Sequence, residues 1–179
     1  MLLVDNGSVY TGKLVKFLDE KQIPFEVCTP DLLDLELVGS HDSFILSGRR
    51  YNDKITNMVN SKIILHAVKN GKKLFGICYG AEILSLALGG TITKSAGFRK
   101  GMQPVMICKE NPLCEGMVDV FESHRYEISK LPAGMILLGA SENCKYELVQ
   151  YMDSPIFGTQ FHPEMSTDGH KMLERFCEL

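Results

Sequence analysis

The sequence contains no CxxC pair, no HExxH, no block of like charges and no apolar run long enough to span a bilayer. Each absence removes a class of function. Without CxxC spacing the six cysteines, at 28, 78, 108, 114, 144 and 177, do not build a zinc framework, and without a secretion signal they read as thiols. The opening "MLLVDNG" meets Asp5 too early for a signal peptide or a membrane span, so the expected compartment is the cytoplasm. Nineteen Lys and Arg against 22 Asp and Glu give a formal charge of −3, which offers no basic footprint for nucleic acid or an anionic membrane. There is no P-loop, no Ser-Gly-Gly-x-Asp-Ser pyrophosphatase loop and no dinucleotide fingerprint, so the chain does not itself activate an acceptor with ATP. No Pro-, Ser- or Gly-rich linker divides it, and 179 residues suffice for one well-buried domain, 1–179.

What is present is an alternation of short apolar strands with amphipathic helices. "MLLVD", "IPFEVC", "SFILS" and "KLFGI" read as strands. Tyr10, Leu14, Phe17 and Leu18 fall at helical spacing, with Ser8 available as N-cap. Ile55, Met58, Val59, Ile63 and Val68 mark one face of a helix that Asn70 and Gly71 end. "AEILSLALGG" is apolar nearly all round, as suits a helix packed between layers. Beyond about residue 91 come strand-like pieces, "TITKS", "QPVMICK", "MILLGA", "YELVQYM" and "PIFGTQF", then a terminal helix carrying Met172, Leu173 and Phe176. The pattern predicts an α/β fold: a mainly parallel central sheet flanked by helices on both faces, a flavodoxin-like three-layer sandwich, with a small antiparallel extension.

Two stretches carry chemistry. In "LFGICYG", residues 74–80, a cysteine stands between two glycines at a strand-to-helix junction. That is the G-x-nucleophile-x-G elbow, which exposes a reactive side chain on a sharp turn at the carboxyl end of a sheet. The helix that follows aims its N-terminus at Cys78 and favours thiolate, and the backbone N–H of Tyr79 points into the same space. In "FGTQFHPE", residues 157–164, His162 is placed to serve as general base, with Glu164 two residues on along an extended segment to orient it and Pro163 to hold that segment straight. Taken singly, a cysteine with glycine neighbours is also a core thiol, and a histidine beside proline is also a structural residue.

The two together, in the order Cys, His, Glu and 84 positions apart, resemble the class I (triad) glutamine amidotransferases. The likeness also runs through "VDNGSVYT", "FILSG", "LALGG", "ESHRYE" and "ASENC". It implies that Cys78 attacks the side-chain amide of L-glutamine, that His162 protonates departing ammonia, and that water hydrolyses a γ-glutamyl thioester. It further implies an oxyanion hole made by the backbone N–H groups of Tyr79 and Arg49. "VDNGSVYT", the Tyr of "GICYG", "SHRYE" and "ASENC" look most like the separate glutaminase subunits of GMP synthases, whose partner chain is an ATP-pyrophosphatase. On that resemblance ATP and Mg belong to the partner, and no cofactor or metal is expected in this chain.

Three departures from the family pattern stand out. Ser47-Gly48-Arg49-Arg50 replaces the usual Ser-Gly-Gly-Pro at the oxyanion turn, so a residue with a side chain takes the place of a flexible glycine. Glu82 occupies the position, four residues after the cysteine, where members often carry a substrate-contacting glutamine. "ESHRYE" aligns with a loop that grips the substrate's α-carboxylate, which maps Gly48, Glu82, Ser123, Arg125 and Tyr126 as substrate-binding candidates. Other readings stay open: a glutaminase subunit of an anthranilate or aminobenzoate synthase, a stand-alone γ-glutamyl hydrolase, a catalytically silent regulatory module, and arginines at 49, 50 and 125 that merely solvate a surface. A protein of the DJ-1 group would have His where Tyr79 stands. A metal hydrolase built on His124, His162 and His170 lacks any ligand pair at i, i+4 spacing.

Overall fold

A computed structural model describes residues 1–179, the side chain of Leu35 aside. Among the described residues nine strands form one sheet: β1 (Leu2–Val4), β2 (Glu26–Cys28), β3 (Ser43–Leu46), β4 (Lys73–Ile77), β5 (Thr91–Ile107), β6 (Met117–Lys130), β7 (Met135–Ala140), β8 (Leu148–Tyr151) and β9 (Ile156–Thr159). The helices are α1 (Thr11–Glu20), α2 (Leu35–Gly39), α3 (Lys54–Asn70), α4 (Tyr79–Ala87) and α5 (Thr167–Glu178). Strand order is β2-β1-β3-β4-β9-β8-β7-β5-β6. The pairings from β2 to β9 are parallel and those from β9 to β6 antiparallel, so the antiparallel extension runs to four strands.

Strand periodicity sorts the core into two layers. Leu3, Ile45, Phe75 and Phe157 face α1 and α5, where Leu14, Phe17, Leu18, Met172, Leu173 and Phe176 meet them. Phe176 packs edge-to-face on Phe75, ring centroids 5.1 Å apart. Their neighbours Leu2, Val4, Phe44, Leu46, Leu74 and Ile156 point the other way, onto Ile63, Ile64 and Ala67 of α3 and Ala81, Ile83 and Leu84 of α4. Each such side chain contributes about 1.5–3 kcal/mol by burial, so every parallel strand is held from both sides. Among the described residues no helix is long and apolar enough to cross a membrane.

Local details depart from the sequence reading. The buried face of α3 is Asn60, Ile63, Ile64 and Ala67, while Ile55 and Met58 lie exposed, because the first turn of the helix projects beyond the sheet. Gly71 does end α3, in the left-handed conformation at φ +62°. Ser8 does not cap α1: the helix starts at Thr11 after Tyr10, and Ser8 Oγ accepts instead from the Tyr10 N–H inside the preceding turn. "TITKS" and "QPVMICK" merge into one 17-residue strand, β5, whose hairpin with β6 carries "ESHRYE" as strand rather than loop. That ribbon lies last in the sheet order, yet it curls back over the carboxyl ends of the parallel strands. Phe121 of β6 bridges His162, whose N–H donates to the Phe121 carbonyl at 2.8 Å.

Candidate active site

Cys78 joins β4 to α4 at φ +51° and ψ −102°, a conformation that L residues rarely adopt and that costs about 1–3 kcal/mol. Its N–H donates to the Thr159 carbonyl of β9 at 2.6 Å, and its carbonyl accepts from the N–H groups of Ala81 and Glu82 at 3.0 Å each. The flanking glycines answer to packing. A Cβ on Gly76 would come within 2.5 Å of the Gly80 backbone, and one on Gly80 would strike the Leu46 carbonyl. The elbow thus exists because two Cβ atoms are missing.

The thiol is buried, and burial dominates its chemistry. It pushes Cys78 well above the ordinary thiol range; the charges of Glu82 and Glu164 push the same way, while the Tyr79 backbone N–H and Arg49 oppose them. The helix N-terminus alone therefore does not make the thiolate that the sequence suggested: desolvation and two carboxylates outweigh it.

His162 leaves β9, the strand hydrogen-bonded to β4 in the register Gly76 with Gly158 and Ile77 with Thr159. Its Nδ1 stands 2.8 Å from Glu164 Oε1, both side chains almost wholly buried. The segment is not straight, however. Pro163 opens a single 3-10 turn, Pro163–Met165, and the carboxylate reaches the imidazole by coiling back rather than by strand alternation. The His162 ring lies against Tyr10, centroids 4.6 Å apart, and its Cε1 would be 2.9 Å from any Cβ placed on Gly48. Gly48 therefore makes room for the imidazole.

The turn after β3 is tied down on several sides. Asn6 donates from its backbone to Ser47 Oγ at 2.9 Å and from Nδ2 to the Ser47 carbonyl at 3.0 Å, while Asn60 of α3 donates to Asn6 Oδ1 at 2.7 Å. Gly7 and Arg49 face each other in an isolated antiparallel bridge. Arg49 avoids positive φ, as expected of a residue with a Cβ. Its guanidinium lies 3.9 Å over the centre of the Tyr79 ring and donates to Asn57 Oδ1 at 2.6 Å, and Tyr79 OH donates to the same oxygen at 2.9 Å. Arg49 is thus no free surface charge. Burial outweighs the pull of that guanidinium and pushes the Tyr79 phenol up to about 12.

A cleft of about 310 Å³ opens over Cys78 and Tyr79, walled by Arg49, Glu82, Ser123, His124, Arg125 and Tyr126. Arg125 and Tyr126 stand exposed at its mouth, with Arg125 5.9 Å from the Phe98 ring. Glu82 is buried; desolvation raises its carboxyl, partly offset by a 3.3 Å hydrogen bond from Gln160 and by the charge of Arg49. Ser123 Oγ accepts from Tyr10 OH at 3.1 Å. Every candidate named from the sequence except Gly48, His162 and Glu164 lines this one cleft, and those three form its floor beside Cys78. Among the described residues no group of three or more His, Cys, Asp or Glu is arranged to hold a metal ion.

The family model "Glutamine amidotransferase class-I" matches residues 2–179. The chain belongs to that family. It is 29% identical to the smaller-chain relative from Methanocaldococcus jannaschii, one subunit of a glutamine-hydrolysing GMP synthase, over 100% of this chain and 96% of that one. It is 33% identical to the glutamine-hydrolysing GMP synthase of Thermosipho africanus, spanning 98% of itself but 35% of that longer protein. A crystal structure from Thermoplasma acidophilum shares the fold, with a TM-score of 0.87 at 24% identity over 99% of this chain and 91% of that one.

Several residues around the site of this amidotransferase are not evident from its sequence. Gln160 approaches both Cys78 Sγ, at 4.0 Å, and Glu82. It lies two residues before His162 in the same motif, so strand alternation is a signal that points to it. Tyr10 lies in "VDNGSVYT", where its helical spacing indicates only a core position. Asn57, Glu122, His124 and Glu147 carry no local signal, because their contacts are made across distant segments.

Proposed function

We propose that this amidotransferase is the glutaminase component of a GMP synthase, a cytoplasmic enzyme that hydrolyses L-glutamine and delivers ammonia to a separate ATP-pyrophosphatase chain for amination of xanthosine monophosphate. ATP and Mg are the partner's. The observation that carries the reading is the 2.8 Å His162–Glu164 pair at the end of the strand next to the one that presents Cys78 at positive φ. The match in length and sequence to the archaeal GMP synthase chain supports the choice of synthase.

In this mechanism glutamine enters the cleft with its side-chain amide over Cys78. His162, oriented by Glu164, takes the thiol proton as the sulfur attacks the amide carbon. Because burial keeps the resting group a thiol, deprotonation and attack are coupled rather than sequential. The N–H groups of Tyr79 and Arg49 receive the oxyanion. His162 hands its proton to the departing amine, ammonia leaves, and water activated by the same imidazole cleaves the thioester to glutamate. Ser123, Arg125, Tyr126 and Glu82 hold the amino-acid end.

The test is Cys78→Ala in the assembled synthase. Glutamine-dependent GMP formation should disappear while ammonia-dependent formation continues, since the two reactions occupy different chains. Equal loss of both in a properly assembled complex would refute the assignment.

A further inference from the structure

Three ionisable side chains that this reaction does not use lie buried beneath the cleft. Glu122 and His124 project from the same face of β6, two residues apart, and Glu147 stands just before β8, with exposures of 3%, 3% and 0%. Desolvating even one carboxylate costs several kcal/mol, so two of them side by side need a compensating arrangement. The carboxyls of Glu122 and Glu147 lie within hydrogen-bonding reach of each other. Ser141 Oγ donates to Glu147 Oε1 at 2.7 Å, and His124 Nε2 stands 3.7 Å from Glu122 Oε2. Glu122 Oε1 and Glu147 Oε2 are left with no donor from any side chain or backbone group. A proton held between the acids supplies the missing one.

We propose that Glu122 and Glu147 share one proton and that the pair, acting through His124, positions the segment that grips glutamine. The inference rests on glutamine occupying the cleft as proposed above. His124 is the link. Its Nδ1 can only donate to the Tyr126 carbonyl, at 2.9 Å, which turns Nε2 toward the acids. His124 itself lines the cleft with Ser123, Arg125 and Tyr126. The Glu147 carbonyl also accepts from the Gln160 N–H at 2.8 Å, so the acid pair braces the opposite wall, where Gln160 meets Glu82.

The charged surroundings agree. Burial, then Glu122, pushes the Glu147 carboxyl up to about 9. Burial also works against the Glu122 carboxylate, but hydrogen bonds from His124 and Glu147, with the charges of His124 and Arg99, hold it below the usual range. Arg99 of β5 faces the pair while bridging Glu127 at 3.5 Å. The remaining titratable neighbour, Cys144, is a thiol pushed far up by burial and by Glu147, Glu127 and Glu122. As pH rises toward and beyond 9, Glu147 ionises, two like charges meet, and the support of His124 is lost.

The experiment is the pH dependence of the glutamine KM in wild type, Glu147→Gln and Glu147→Ala, with melting curves at each pH. An amide at 147 still donates to Glu122 and accepts from Ser141 but cannot ionise. Wild-type KM should climb roughly 10-fold relative to Glu147→Gln above about pH 9, with kcat not sharing the climb, and Glu147→Gln should match wild type within about 2-fold at neutral pH. Glu147→Ala should show a KM raised about 10-fold throughout the range. Identical alkaline limbs in wild type and Glu147→Gln would overturn the proposal, as would a Glu147→Ala effect confined to kcat. If the wild type turns over no glutamine at all, the functional reading is what fails, and the shared proton is then judged by stability. A raised folded-state pKa means stability that is lost as pH rises, so wild type should weaken against Glu147→Gln from the ordinary carboxyl range up to about pH 9. A difference that does not vary with pH refutes the shared proton.

Discussion

Arg49→Gly should loosen the oxyanion turn and raise the glutaminase rate of the isolated chain. The magnitude follows from what Arg49 touches. Its guanidinium stack on Tyr79 at 3.9 Å is worth about 0.5–2 kcal/mol. Its charged hydrogen bond to Asn57 at 2.6 Å adds about 1.5–3 kcal/mol. One oxyanion donor is worth about 100- to 1000-fold, or about 2.7–4 kcal/mol. The clamp is therefore strong enough to hold the Gly48–Arg49 peptide in a resting orientation until the synthase chain, loaded with ATP and its acceptor nucleotide, docks and turns it. Glycine has neither clamp nor Cβ penalty, so the variant's partner-free kcat should rise roughly 10-fold or more, and its activation by the loaded partner should shrink by the same factor. The assay is steady-state glutamate release by the chain alone, with empty partner, and with partner, ATP and xanthosine monophosphate. Equal wild-type kcat in all three conditions would mean that the hole is already formed, and an unchanged activation ratio in Arg49→Gly would show that the guanidinium clamp does not gate the turn.

The remaining predictions concern neighbouring groups. His162→Ala should lower kcat by roughly 1000-fold and slow Cys78 alkylation at neutral pH, whereas Glu164→Gln, which only orients the base, should cost less; the reverse order would strip Glu164 of that role. Gly76→Ala should yield little folded protein, because its methyl meets backbone that cannot yield; a soluble variant with wild-type melting would contradict the packing. Burial raises the Glu82 carboxyl, so its neutral form is the favoured one and wild-type stability is lost as pH climbs above the ordinary carboxyl value. Glu82→Gln should therefore melt higher than wild type at about pH 7 and lose that advantage near about pH 4, and equal melting at both would show that Glu82 is not desolvated.

Much of this is legible in the chain itself. The strands β1, β3 and β4 and the end of α3 at Gly71 follow from period and turn residues, and Cys78, His162 and Glu164 follow from two motifs. What fails does so for physical reasons. Periodicity sets the face of α3 a turn too early because Ile55 and Met58 match the helical repeat but lie beyond the sheet that would bury them. Glu164 reaches His162 through a 3-10 turn because proline at a first helical position starts a helix as readily as it extends a strand. Cys78 is a resting thiol because burial, which no local window reports, outweighs the helix terminus. Glu122 and Glu147 are 25 positions apart, and nothing short of the folded ribbon shows that they meet.

The position of β9 has a consequence for how the protein is made. The nucleophile's unit, from β3 to α4, is contiguous and can assemble from local contacts. The strand bearing His162 is the last of the nine to be synthesised, yet it belongs in the middle, between β4 and β8. Until Thr159 has emerged, the apolar flank of β4 stays open and no base can reach the cysteine. Non-local closure of this kind is slow, and the unfilled slot is an adhesive edge during that wait. A ribosome-bound fragment ending before β9 should thus be both inert toward glutamine and dependent on chaperones, and the synthase gains its glutaminase only when the final strand slides home.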